Sequence, residues 1–123
     1  MFVRDPRECE EIVAGDGSRL RELLRPERDR LGIGYSLALA RVRPKEATLP
    51  HRLRTSSEVY YILVGEGRMH IGDEEAPVAA GQVIYIPPGA VQWIENTGAE
   101  DLVFLCIVCP PWRPEDEEIL ERT

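Results

Sequence analysis

The sequence predicts an all-β domain, a sandwich or barrel of short strands, and three observations carry that prediction. Ten prolines and ten glycines punctuate the chain, at the spacing of roughly 8–12 residues that separates strands in such folds. Between them lie short runs rich in Val, Ile, Tyr and Leu, the residue types that fit a pleated, half-buried surface. Two of these runs, 59–64 and 102–109, are apolar at both parities, more than a strand with one solvated face requires. At 123 residues the chain is expected to form one domain, 1–123, since domains usually run about 100–150 residues.

In chain order, Asp5-Pro6 followed by Glu8, Glu10 and Glu11 predicts a capped helical turn, with Pro at the first helical position and acids over the helix N-terminus. Leu20, Leu23 and Leu24 fit a helical spacing and fit strand alternation poorly, so periodicity leaves 18–25 open. Strands are predicted over 34–42, 58–64, 67–72, 82–86, 92–96 and 102–109, which sets the barrel at about 34–109. Turn residues separate them: Arg43-Pro44-Lys45-Glu46, Gly72-Asp73, Gly81, Pro87-Pro88-Gly89 and Asn96-Thr97-Gly98. Gly65-Glu66-Gly67 reads as a hairpin turn between two strands, not as a phosphate cradle. Arg113-Pro114-Glu115-Asp116-Glu117-Glu118 repeats the N-terminal pattern and predicts a short helix over 113–121. The doubly apolar runs need a second cover, which would be a second copy in a homodimer or the chain's own residues 1–33, covering or swapped.

Composition excludes some partners. Fifteen basic against twenty-two acidic residues give a net charge of −7, the wrong sign for collecting nucleic-acid phosphates or binding an anionic leaflet. No stretch approaches the ~20 apolar residues of a membrane span, and residues 1–11 lack a secretory apolar core, so a cytoplasmic protein is expected. Three cysteines, Cys9, Cys106 and Cys109, are an odd number, and reduced thiols are expected. Cys106 and Cys109 stand three apart on a predicted strand, which puts their thiols on opposite faces. That spacing argues against a redox or zinc pair.

Two blocks carry the chemistry. In the first, His51 is followed by Leu53, by Glu58, and after six residues by Gly65. In the second, Gly81 is followed by five residues, Pro87-Pro88-Gly89, Gln92 and, after three more, Asn96. These blocks resemble the paired motifs of the cupin superfamily, G-x5-H-x-H-x3or4-E-x6-G and G-x5-P-x-G-x2-H-x3-N, and the resemblance covers about residues 34–109. More closely, the wording is similar to that of small single-domain archaeal and bacterial cupins of uncharacterised function. The resemblance implies a jelly-roll, or double-stranded β-helix, barrel with short terminal helices.

In metal-binding cupins the ion is held by the two histidines and glutamate of the first motif and the histidine of the second. Here Leu53 and Gln92 stand at two of those positions, and Lys45 replaces the opening glycine. The resemblance therefore implies a reduced metal set of His51, Glu58 and Gln92, for Zn, Fe, Mn, Ni or Cu, in which imidazole and carboxylate are good donors and an amide oxygen a weak one. Tyr60 shares parity with Glu58 and can point inward beside it; Ile62, Ile94 and Cys106 are the further cavity candidates. His51 could equally hydrogen-bond Glu58, and that pair would be competent for proton transfer without a metal. Glu58 could instead pair with Arg52 or Arg54, which are expected to face solvent. His70, beside Met69 and Ile71, reads as a packed or surface strand residue, and Trp93 and Trp112 as cover and rim.

Two functions follow. One is a metal-assisted cupin acting on an oxygen-rich small substrate; the other is a metal-free cupin that binds or senses a sugar or small acid. The residues are compatible with both, and with catalysis or its absence.

Overall fold

The computed structural model describes residues 1–120. Eleven strands in that span form two antiparallel sheets packed face to face, with one short helix, α1 (Pro26–Asp29). The strands are β1 (Ile12–Val13), β2 (Arg19–Leu24), β3 (Ser36–Val42), β4 (His51–Leu53), β5 (Ser57–Val64), β6 (Glu66–Ile71), β7 (Glu74–Ala79), β8 (Val83–Ile86), β9 (Gln92–Asn96), β10 (Leu102–Cys109) and β11 (Glu117–Ile119). One sheet runs β1-β2-β3-β10-β5-β8 and the other β11-β4-β9-β6-β7, the all-β jelly roll that the sequence predicts. No helix among the described residues is long and apolar enough to cross a membrane.

The core lies between the sheets. On β10, Leu102, Phe104, Cys106 and Val108 are buried while their neighbours are only partly so, and on β5 the inward parity is Glu58, Tyr60 and Ile62. Ile62, Ile94, Leu102 and Phe104 are fully enclosed, which is where most of the hydrophobic stabilisation of a sandwich resides.

The outer face of the six-stranded sheet is covered at one end. Arg21 donates to the Pro6 and Cys9 carbonyls, and Arg41 pairs with Glu11 at 2.6 Å, so the N-terminal segment lies across the outer side of β2 and β3. The expected capped turn is there as well: Pro6–Glu8 is a single 3-10 turn, with the Asp5 carboxylate accepting from the Arg7 amide. At the other end Tyr61, Leu63, Val83 and Tyr85 remain 40–62% exposed on the neighbouring strands β5 and β8.

Two expectations are corrected. Gly65 does not close a hairpin: β5 pairs with β10 and β8, β6 pairs with β7 and β9, and the glycine, at φ +90°, turns the chain from one sheet into the other. Gly67 follows at the point of closest approach, where an added Cβ would stand 2.5 Å from the Glu95 carbonyl oxygen. The helix over 113–121 is instead a 3-10 turn, Pro114–Asp116, followed by β11. The Asp116 carboxylate accepts from the Thr55 and Ser56 amides and the Thr55 hydroxyl rather than capping a helix, and β11 adds to the edge of β4. Residue 121 lies outside the described residues.

The second sequence block has a backbone role. Asn96 donates through Nδ2 to the Val42 and Glu100 carbonyls and accepts from the Gly98 amide through Oδ1, a clamp that closes the β9–β10 connection against β3.

Candidate functional site

A cavity of about 230 Å³ opens between the inner faces of β2, β3, β5 and β10 and the segments carrying His51 and Glu117. Its walls are apolar where Leu20, Ala38, Ala40, Phe104 and Val108 line it, and its polar end gathers Asp16, His51, Glu58 and Glu117.

His51 reaches that end from β4, in register with Gln92 on β9. Its Nδ1 lies 2.9 Å from the Leu49 carbonyl oxygen. A carbonyl only accepts, so Nδ1 donates in that bond. Nε2 faces the Asp16 carboxylate at 3.7 Å. Asp16 is delivered by the β1–β2 turn: its Oδ1 accepts from the Ser18 amide and hydroxyl, and its carbonyl accepts from the Leu49 amide at 2.7 Å. Glu117 comes from β11 and holds the Trp112 indole N–H at 3.2 Å.

Glu58, 8% exposed, is the deepest of the three acids. Tyr60 donates its hydroxyl to Gln92 Oε1 at 2.8 Å, and Gln92 Nε2 donates to Glu58 Oε1 at 2.9 Å. Oε2 has no hydrogen-bond partner among the described residues. Burial pushes the carboxyl up to about 7; the Gln92 hydrogen bond and the nearby His51 pull it down, and the charges of Asp16 and Glu117 push it further up. A carboxyl poised there both gives and takes a proton near neutrality. Burial likewise raises the Tyr60 hydroxyl and the Cys106 thiol, so both stay protonated donors.

The predicted residues thus divide. His51, Glu58, Tyr60 and Cys106 line the cavity, with Cys106 opposite Tyr60 in the β10–β5 register. Gln92 stands directly behind it, fully buried. Ile62 and Ile94 belong to the closed core and not to the cavity wall. His51 does not hydrogen-bond Glu58, and Arg52 and Arg54 pair instead with Glu118 on the outer side, at 3.0 and 2.8 Å. Cys109 is exposed on the face opposite Cys106. His70 stacks on Trp93 at 3.6 Å, outside the cavity and between Glu75 and Glu95. Sequence reasoning misses Asp16 and Glu117; the one available signal for Asp16 is an acid flanked by Gly15 and Gly17.

Residues 38–108 match the family model described as a cupin domain. This chain is a cupin. It is 46% identical over 109 residues to the uncharacterised protein MJ1618 of Methanocaldococcus jannaschii, covering 89% of this cupin and 86% of that protein. The oxalate-binding protein of Thermotoga maritima is 41% identical over 58 residues, 47% of this chain and 48% of that one. Among solved structures, a predicted oxalate decarboxylase from Thermotoga maritima superposes with a TM-score of 0.77 at 29% identity, over 89% of this cupin and 99% of that chain. The Bacillus subtilis oxalate decarboxylase gives 0.79 at 23% identity and shares the fold over 94% of this cupin and 30% of its own chain.

The donor set does not fit the metal centre implied for cupins. Leu53 is buried at the second histidine position, and both ends of the Gln92 amide are engaged, its oxygen by Tyr60 and its nitrogen by Glu58. His51 Nε2 and Glu58 Oε2 are left as the donors of that set facing the cavity, and two firm ligands are short of the three or four that hold a divalent ion. Among the described residues no group of three His, Cys, Asp or Glu is placed to hold one.

Proposed function

We propose that this cupin binds a small molecule with an apolar body and a polar head in the cavity beside Glu58, and that it does so without a metal ion of its own. The observation that carries this reading is the cavity itself. It is apolar along most of its wall and holds at one end a buried carboxylate with one oxygen fixed by Gln92 and the other open, the usual make-up of a small-molecule site. The name of the Thermotoga maritima relative, an oxalate-binding protein, supports binding of a small molecule as the general activity.

Thermal denaturation against a small-molecule library tests it. A ligand at 100 times its Kd adds about 2.7 kcal/mol to the stability of the folded protein, and Ala38→Phe, which fills the cavity from β3, should abolish the shift. A hit that stabilises the Ala38→Phe protein equally would place binding elsewhere. Elemental analysis of protein purified without a metal-affinity tag should find Zn, Fe, Mn, Ni and Cu all far below one per chain. Stoichiometric metal that disappears on His51→Ala would overturn the metal-free reading.

We also propose that the exposed end of the outer sheet face, Tyr61, Leu63, Val83 and Tyr85, packs on a second copy. Four large apolar side chains on adjacent strands form a contiguous patch of the kind that marks an interface, and two-fold dimers are the commonest assembly. Sedimentation at micromolar concentration should give a dimer that Leu63→Glu converts to a monomer. A monomeric wild-type protein would refute it.

A further inference from the structure

Three carboxylates, Asp16, Glu58 and Glu117, meet at the polar end of the cavity. Asp16 presents Oδ2, its Oδ1 being taken by Ser18. Glu58 presents Oε2, and His51, its Nδ1 committed to Leu49, turns Nε2 toward Asp16 at 3.7 Å. Glu117 adds a further carboxylate that accepts only the Trp112 indole N–H among the described residues. The hydroxyl donors beside this end are already committed, Tyr60 to Gln92 and Ser18 to Asp16 Oδ1. The one guanidinium on the cavity wall among the described residues, Arg25, stands past the far end of β2 and is balanced by Glu22 at 3.7 Å; at about 3.3 Å per residue that strand carries it well away from Asp16.

Three carboxylates around one opening repel an anion and leave a neutral acceptor unpaired, whereas a cationic N–H donor satisfies several of them at once. The acids alone would make no site. What singles this end out is that Glu58 is more than nine-tenths buried and has an unpartnered oxygen beside the cavity it lines. The remaining wall, with Phe104, Ala40 and Leu20, suits an apolar or aromatic body, and about 230 Å³ is room for roughly eight waters at about 30 Å³ each. We infer that the ligand of this cavity is a small organic cation, an amine or amidine on a compact apolar body, with its charged head among Asp16, Glu58 and Glu117. The inference rests on the cavity being the binding site. It departs from what the names of the relatives suggest, since oxalate is a dianion.

Calorimetric titration with benzylamine, benzyl alcohol, benzoate and oxalate at fixed ionic strength tests it. These probes share a size range and differ in charge. Benzylamine is expected to bind at least about tenfold more tightly than benzyl alcohol, with no binding of benzoate or oxalate. Glu58→Gln should weaken benzylamine by about tenfold or more while leaving benzyl alcohol within about twofold. Glu117→Gln, nearer the rim, provides the same comparison should the buried substitution perturb folding. Benzoate or oxalate binding as tightly as benzylamine, or equal affinity for the amine and the alcohol, would overturn the cation while leaving the cavity as the site. Silence from all probes would overturn the cation too, and only silence from the wider library as well would remove the binding cavity.

Discussion

Glu58→Gln is expected to make this protein more stable above neutral pH and to flatten its stability profile. In the native state burial raises the Glu58 carboxyl to about 7, against 4.5 for an ordinary glutamate. Below about pH 4.5 the group is protonated both folded and unfolded, and the native preference for the neutral acid contributes in full. As pH rises, the unfolded chain ionises first, and the contribution falls away until it is gone once pH passes about 7. A shift of that size corresponds to about 3 kcal/mol. The glutamine side chain of the variant has no proton to lose, so the variant minus wild-type difference should climb by about 3 kcal/mol between pH 4.5 and 7.5 and then level off. The measurement is urea denaturation of both proteins across that range. Carboxyls held low in the native state, such as Asp116 and Glu11, impose the opposite slope on both proteins and cancel in the difference. Parallel profiles would show that Glu58 ionises as an ordinary surface acid.

Phe104→Ala is expected to cost about 3–5 kcal/mol, the range for truncating an enclosed aromatic. Phe104 sits on β10 between Ala40 on β3 and Ile62 on β5, is 1% exposed, and its ring centroid lies 4.5 Å from that of Tyr60. The neighbours cannot collapse into the vacated volume, because Ala40 is small and Tyr60 is held by its bond to Gln92. Phe104→Leu should recover more than half of the loss. Equilibrium denaturation reads both, and a loss below about 1 kcal/mol for the alanine variant would mean that the ring packs less tightly than its enclosure implies.

The barrel was legible because its strands obey a simple rule. In 102–109 the apolar residues of one parity fill the core, and the glycines and prolines of 81–89 fall at the turns around β8. Segment 18–25 was not legible as a strand for a reason visible in its register. Pairing with β3 shifts between Glu22 and Leu24, so Leu23 drops out of the ladder yet is buried, and the leucines stand at a spacing that mimics a helix. β7 escaped notice because Glu74, Glu75 and Pro77 mark an edge strand with little apolar content. The motif positions led to His51, Glu58 and Gln92, but nothing local announces Asp16 or Glu117. They join the site only because β1–β2 and β11 add to sheet edges on either side of it, a long-range event that no window of sequence contains.

The chain Tyr60–Gln92–Glu58 also has a mechanical meaning. Tyr60 and Glu58 belong to one sheet and Gln92 to the other, so these bonds cross the interior and rivet the two layers together. Apolar contacts are non-directional and let one pleated surface slide over another at modest cost, whereas a buried amide, donor at one end and acceptor at the other, is satisfied at a single offset. An amide in place of a metal-binding imidazole therefore acts as a fixed spacer, setting the offset and separation of the two layers at the deep end of the cavity, where Glu58 stands.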